Sequence, residues 1–417
     1  MIIFYNIFLW LYRVGIYLAS FFNAKARLWI KGRVLIFPKI RKDLKGIQGK
    51  VVWMHAASLG EYEQGKPVLK RLLAEYPDIT PVISFFSPSG YEVIKKKNEF
   101  PHTYYLPMDS VINVQQWMSI VNPSLVVWVK YEYWYFYLRA IRRRNIPLIM
   151  VSGIYRRNQP FFKWYGGLYR DMLRAFSHFF VQNEPSKRYL STLIEKDKIT
   201  MSGDTRCDRV IEIAEGFTPI SLIEDFCKEH RVIVCGSTWE EDEEVWIHYI
   251  NKMQQLRFII APHEIDPSNI QAVKARFTNA ITYTEYQTAG NNPGNRNCLI
   301  VDNIGMLSRL YHYADITYVG GGFGDSGLHN ILEAAVYGKP VIFGPVFYRN
   351  FEAEEMIECG GAISINTALE LEQTVDNLLE NEGLLSQKGI SAREYIYKNA
   401  GASEKIINFI RKENYLR

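Results

Sequence analysis

Short apolar runs recur along the chain and polar, helix-like segments separate them. In the first half the runs are Val51–Ala56, Pro81–Phe86, Thr103–Leu106, Leu125–Val129, Pro147–Val151, His178–Gln182 and Ile199–Ser202. The second half offers Arg231–Cys235, Arg257–Ala261, Ala280–Thr284, Cys298–Val301, Ile316–Val319 and Pro340–Phe343. They are continuous in β-branched and aromatic residues, not alternating. Strands covered by helices on both faces read this way, so the runs predict parallel sheets. The intervening segments are long enough for crossover helices. The pattern restarts near Arg231, after a polar stretch from Glu212 to His230. Two doubly wound α/β domains are therefore predicted, with ligands outside the carboxyl ends of the strands and a cleft between the domains as the natural site.

The first residues follow a different pattern. Ile2 to Phe22 is apolar apart from Asn6 and Arg13, and then come Lys25, Arg27, Lys31, Arg33, Lys39, Arg41, Lys42 and Lys45 against Asp43 alone. A secretory leader has its basic residues first and a small-residue cleavage site afterwards, and neither is evident. The expectation is a membrane-associated helix, embedded or spanning, with the basic tract against anionic headgroups on the cytoplasmic side. The competing expectation is a helix packed on the protein's own surface. The expected organisation is a membrane helix and basic tract at 1–48, an N-terminal Rossmann-like domain at 49–215 and a linker at 216–230. A C-terminal Rossmann-like domain follows at 231–395, and a last helix at 396–417 packs back on the first domain.

Composition changes this picture little. With 417 residues the chain is too long for one ordinary core. Its net charge of +5, from 49 basic and 44 acidic residues, is too mild to point to nucleic acid. Cys207, Cys227, Cys235, Cys298 and Cys359 form no C-x-x-C pair, which argues against a disulfide framework or a thiolate zinc site. The histidines are scattered and no H-E-x-x-H, G-x-S-x-G or P-loop lysine motif occurs, so chemistry without metal or other cofactor is the simpler expectation.

Candidate chemistry lies where strands end. "VVWMHAASLGEYEQGKP" runs from an apolar strand through small residues to Glu61. "LVVWVKYEYW" ends a strand with Lys130 and Glu132 among aromatics, and an isolated buried glutamate is costly unless paired. A Lys130–Glu132 pair is one reading and a cleft carboxylate the preferred one. "GDTRCD" brings Arg206 and Asp208, where Arg206 either forks onto an anion or forms a surface ion pair. "IIAPHEIDP" places Pro262 and His263 at a strand's end, for a phosphate contact or a turn. "ITYVGGGFGDSGLHNILEAA" reads strand, glycine loop, helix, with Gly320, Gly321 and Gly322 where backbone must turn or approach a ligand. Asn330 and Glu333 have capping-box spacing, but the loop glycines and Gly327 favour ligand binding. The acids at 240–244 suit a helix start and need no function.

These elements together resemble the Kdo transferases of lipid A assembly, over nearly the whole chain. "HAASLGEYE" resembles the family's H-A-A-S-x-G-E element, "KYEYW" its E-T-E-x-W, "GDTRCD" its G-x-x-K-x-D and "APH" its P-R-H. "DNIGML" resembles D-T-M-G-E-L, and "GLHNILEAA" resembles G-G-H-N-x-L-E-x-A. The sequence departs at Lys130 in place of the first Glu, Arg206 for Lys, Pro262 for Arg and Met306 for a carboxylate.

The resemblance implies the two-domain GT-B fold and a metal-independent, inverting transfer of Kdo from CMP-Kdo to a lipid A precursor at the cytoplasmic side of the inner membrane. It implies Glu61 as general base and Glu132 and Arg206 as further catalytic residues. Pro262, His263, Ile304, Gly305, Met306, Gly321, Gly322, Asn330, Ile331, Leu332 and Glu333 then bind the donor. Pro67 would strain a helix begun at Glu61, so Glu61 is expected on a loop, beside room left by Ala56, Ala57, Ser58 and Gly60. The alternatives are a GT-B transferase using a UDP-sugar, of lipid A disaccharide synthase or murein-precursor type, and a non-catalytic membrane-bound sugar-nucleotide-binding protein.

Overall fold

The structure is a computed structural model describing residues 2–130, 132–290, 294–325, 327–348 and 350–417. It divides into two compact units, residues 1–208 with 400–417, and residues 209–399.

The N-terminal unit is built on seven parallel strands: β1 (Val51–Ala56), β2 (Thr80–Phe85), β3 (Thr103–Tyr105), β4 (Leu125–Val129), β5 (Leu148–Gly153), β6 (His178–Val181) and β7 (Ile199–Met201). Their order is β3-β2-β1-β4-β5-β6-β7. The C-terminal unit has a second parallel sheet: β8 (Val232–Thr238), β9 (Arg257–Pro262), β10 (Ala280–Thr282), β11 (Cys298–Ile300), β12 (Ile316–Val319), β13 (Val341–Phe343) and β14 (Ala362–Ser364), in the order β10-β11-β9-β8-β12-β13-β14. In each sheet the first strand lies in the interior, third of seven for β1 and fourth for β8, and the chain leaves it in both directions. The switch points therefore fall between β1 and β4, where His55 is opposite Trp128, and between β8 and β12, where Gly236 is opposite Val319. Ligands bind open parallel sheets at such points.

The predicted strands form because their residues are buried on both faces. All six residues of β1 and all five of β4 are buried. Strand β14, which the sequence pattern does not predict, is a three-residue edge strand with only Ala362 buried, too short to carry a pattern.

The Leu59–Glu75 helix crosses β1 and β4 closely. A Cβ on Gly65 would stand 2.6 Å from Met54 Sδ and 2.8 Å from Val129 Cγ2, so a larger residue would push the helix off the sheet. Pro67 lies inside this helix and is buried with Val68, Leu69 and Leu72. An interior proline costs ~3 kcal/mol, and burying such apolar side chains at roughly 1.5–3 kcal/mol each outweighs it. Glu61 is consequently in the helix's first turn, not on the expected loop.

The stretch expected as a linker holds a short helix, Ser221–Cys227, with Leu222, Ile223 and Phe226 buried, and the division between units falls earlier, after Asp208. Asp208 has a structural task. Its carboxylate accepts the Gly401 N–H at 2.5 Å and the Ser403 N–H at 2.7 Å, capping the Ala402–Lys412 helix within the N-terminal unit.

The N-terminal helix, Ile2–Ala19, is long and apolar enough to cross a bilayer by length and composition. One face docks on the unit. Leu9 is buried, and the Tyr5 hydroxyl donates to Asp109 Oδ2 at 2.6 Å, while Asp109 also accepts the Phe136 and Tyr137 N–H groups. The other faces leave Ile3, Phe4, Phe8, Trp10 and Leu11 exposed.

Candidate active site

In the N-terminal unit the site grows from the ends of β1 and β4. Glu61 reaches back so that its Oε2 accepts the Ala57 N–H at 2.5 Å. Burial pushes its carboxyl up to about 8, against the Ala57 N–H and with Glu132 adding to the rise, while Lys130 draws it down. Glu132 follows β4. Its Oε2 stands 2.9 Å from His55 Nε2 and accepts the Trp134 Nε1–H at 3.0 Å. Its backbone carbonyl accepts from Trp128 Nε1 at 2.6 Å.

His55 lies on β1 and is fully buried. Trp53 Nε1 donates to Ser84 Oγ at 2.7 Å, and Ser84 Oγ is 2.9 Å from His55 Nδ1. Indole is a donor only, so the Ser84 hydroxyl is free to donate to Nδ1, and Nε2 then carries the proton toward Glu132. Sequence reasoning singles out neither His55 nor Ser84. A histidine within "VVWMHA" reads as core, and the signal that could have found it is its place at the head of the same motif as Glu61.

Lys130 directly follows β4 with φ +52° and is buried. Left-handed backbone at a non-glycine residue costs of order 1–3 kcal/mol and gathers at functional sites. Arg206 forms an ion pair within its own turn. Its Nε and Nη2 grip Asp204 Oδ2 at 3.0 and 2.6 Å, so the ion-pair reading describes it, in a half-buried position, not on the surface. Burial works against the Asp204 charge, but Arg206, with Lys130 behind it, holds the carboxyl below its ordinary value.

In the C-terminal unit the site grows from the ends of β8, β9 and β12. Gly321 has φ +88°, and a Cβ there would strike the Gly327 carbonyl at 2.3 Å. A Cβ on Gly322 would meet Gly344 N at 2.6 Å. The loop is tied down by Asp242, which is fully buried. Asp242 accepts the Tyr318 hydroxyl at 2.6 Å, the Gly321 N–H at 2.7 Å and the Trp239 N–H at 3.0 Å. Glu243 is also buried, accepting from Thr238 Oγ1 at 3.0 Å and Arg276 Nη1 at 2.5 Å. These two acids do more than suit a helix start.

His263 donates its backbone N–H to the Thr238 carbonyl at 2.9 Å, and its ring stacks on both Trp239, at 4.5 Å, and His329, at 4.4 Å. Trp239 Nε1 donates to His329 Nε2 at 3.0 Å. Burial, then the neighbouring His263, lowers His329 to about 4. Trp239 carries no signal in the sequence and His329 only its place in "GLHNILEAA", since only the fold stacks them on His263.

Asn330 Nδ2 donates to Glu333 Oε1 at 3.1 Å, and burial raises the Glu333 carboxyl despite that bond. The helix here is short, Leu332–Ala335, and opens after Ile331. Ile331 and Leu332 are fully buried, so only their backbone can face a ligand. Ile304 is 84% exposed beside Gly305 at φ +93°, whereas Met306 is buried. Pro262 closes β9. The structure thus gathers His263, Gly321, Gly322, Asn330 and Glu333 at one switch point, and Glu61 with Glu132 at the other. Among the described residues no group of three or more His, Cys, Asp or Glu could hold a metal ion.

Comparison with known proteins shows what this chain is similar to. Residues 30–209 match the family model described as 3-deoxy-D-manno-octulosonic-acid transferase (kdotransferase). The chain is similar to the 3-deoxy-D-manno-octulosonic acid transferase of Haemophilus influenzae, 25% identical over 86% of each chain. It is also similar to that of Chlamydophila psittaci, 28% identical over 75% of this chain and 74% of the relative. A bifunctional glycosyltransferase/methyltransferase of Fusobacterium nucleatum is 28% identical over 75% of this chain, which spans half of that relative's length.

Solved structures share the fold. The UDP-GlcNAc 2-epimerase of Neisseria meningitidis aligns with TM-score 0.62 at 17% identity, covering 87% of this chain and all of that one. MurG of Acinetobacter baumannii aligns with TM-score 0.54 at 14% identity, covering 88% of this chain and all of that one. The two parallel sheets are the GT-B arrangement the sequence predicted. The family match over residues 30–209 and relatives that align over most of the chain make it similar to the 3-deoxy-D-manno-octulosonic-acid transferases, a family of glycosyltransferases.

Proposed function

We propose that this protein transfers Kdo from CMP-Kdo to a sugar hydroxyl of a lipid A precursor, with inversion at the anomeric carbon and Glu61 as general base. The observation that carries this reading is the Glu61 carboxyl, half-buried at the β1 switch point and raised to about 8. A hydroxyl is a weak nucleophile until its proton leaves, and a base is most effective when its pKa lies near the working pH. Glu132, oriented by His55 and Trp134, steadies the cationic transition state or the acceptor.

The C-terminal unit holds CMP through His263, the glycine loop, Asn330 and Glu333. The departing phosphate needs donors. Arg206 is committed to Asp204, so its part is to fix that carboxylate, and the turn at residues 330–332 is the candidate for the phosphate. The N-terminal helix and basic tract keep the protein on the cytoplasmic face of the inner membrane, where a lipid acceptor resides.

The test is mass spectrometry of the product formed from CMP-Kdo and a lipid A precursor. Near-normal turnover by folded Glu61→Gln would remove the general base. Thermal stabilisation by UDP in preference to CMP would move the donor to a UDP-sugar.

A further inference from the structure

A cavity of about 530 Å³ opens beside Glu132 in the N-terminal unit. One wall is Phe4 and Phe8 of the N-terminal helix, and another is Leu168 and Met172 of the Gly167–Leu173 helix. Trp134 also lines it, and Glu132 is the one charged side chain among the described lining residues. That carboxylate already faces His55 and Trp134. Two tyrosines of the lining are likewise engaged: Tyr5 donates to Asp109, and the Tyr133 hydroxyl stands 2.9 Å from that of Tyr155. Among the described residues the lining supplies no cation for a phosphate or carboxylate. It supplies apolar and aromatic surface in a volume typical of small-ligand sites.

The occupant follows from what adjoins the cavity. Phe4 and Phe8 belong to the helix whose outer faces are exposed and apolar, and Trp164 is 92% exposed next to the lining residue Tyr165. Phe4 and Phe8 thus belong at once to the exposed apolar helix and to the cavity wall, and Glu132 lines the same cavity. A hydrocarbon chain can follow those two side chains from a membrane into the cavity. The Tyr5–Asp109 bond fixes the helix as a wall.

We propose that this cavity takes one fatty acyl chain of the acceptor lipid and so sets the acceptor's sugar against the carboxylates at the sheet end. The inference rests on the lipid-acceptor reading above. It makes acylation, and not the sugar alone, a determinant of acceptor choice.

Two measurements on the full chain test it. Wild-type protein in anionic vesicles is photolabelled with a phospholipid carrying a diazirine at the end of a tetradecanoyl chain. Adducts are expected within residues 4–8 and 165–172, and adducts confined to exposed sites such as Phe21 and Phe22 would overturn the proposal. Leu168→Trp, which fills the cavity, is then compared with wild type for the ratio of kcat/KM on an acylated acceptor to that on its deacylated counterpart. The ratio is expected to fall at least tenfold, and an unchanged ratio in folded protein would overturn the proposal. If wild type transfers to neither acceptor, the functional reading fails, and the labelling pattern still decides the cavity.

Discussion

His55 Nε2 stands 2.9 Å from Glu132 Oε2, and the histidine's other nitrogen is held 2.9 Å from Ser84 Oγ. A carboxylate at the end of one central strand is thus aimed by a buried ring on its neighbour. Replacing His55 with Ala removes the Nε2–H donor and leaves the buried Ser84 hydroxyl without its acceptor. The expected cost is about 1–3 kcal/mol in stability and roughly 10–100-fold in kcat/KM, by analogy with outer-shell partners elsewhere. Urea unfolding and steady-state transfer kinetics measure both. Retention of full activity at normal stability would show that Trp134 alone orients Glu132.

Glu61 makes a prediction in pH. Its folded carboxyl is raised to about 8 from the ordinary 4.5, chiefly by burial. A raised folded pKa means stability that is complete below the unfolded value and is lost as pH climbs through the folded one. Wild type should lose stability between about pH 4.5 and 8 relative to Glu61→Gln, by on the order of 1 kcal/mol or more. Over the same upper range kcat/KM of the wild type should rise, as the base loses its proton. Thermal unfolding and rate profiles from pH 5 to 9 read both trends. Parallel stability curves for the two proteins would contradict the buried-acid account.

Much of this fold is legible in the amino-acid sequence because burial on both faces leaves a plain mark. "VVWMHA" and "LVVWV" could hardly be anything but central strands. The position of Glu61 is only half legible: its motif is plain, but Pro67 points to a loop. The deciding factor is tertiary, since Gly65 and the apolar residues after it hold the helix on β1 and β4. Arg206 is recognisable as a cation, but nothing local reveals that Asp204 occupies its fork. Asp242 is hidden for the opposite reason: in "WEEDEE" it looks like any acid of a helix start. Its partners Tyr318 and Gly321 lie far along the chain and reach it only because β8 and β12 are neighbours.

Asp242 is consequently expected to be indispensable to the glycine loop. Asp242→Ala would strand the Tyr318 hydroxyl and the Trp239 and Gly321 N–H groups in a buried setting, each at roughly 1–3 kcal/mol. Asp242→Asn keeps one oxygen acceptor and should be milder. The expected result is a CMP affinity lost at least tenfold in the Asn variant, measured by calorimetry, with the N-terminal unit unaffected in hydrogen exchange. Wild-type affinity in Asp242→Asn would mean that the loop holds its shape through Gly320, whose N–H bonds Gly236 O at 2.9 Å, without the aspartate.

The stacked rings of Trp239, His263 and His329 should make the C-terminal unit acid-sensitive. His329 is lowered to about 4, first by burial and then by His263, and its Nε2 accepts the Trp239 indole proton. A depressed folded pKa gives stability that is full above the unfolded value near 6.5 and falls away as pH drops toward 4. Protonation at Nε2 would also set donor against donor at 3.0 Å and break the Trp239 contact. His178 is lowered to about 4 as well, by burial, and acts in the N-terminal unit. The informative comparison is therefore His329→Gln against wild type, with His178 present in both. Gln can still accept from the indole but cannot take up a proton, so its unfolding curve should flatten between pH 6.5 and 4. CMP binding, followed by Trp239 fluorescence, should weaken severalfold over that range in wild type and stay level in the variant. Equal acid sensitivity in both proteins would place the labile group elsewhere than His329, with His263, also lowered by burial, the next in the stack.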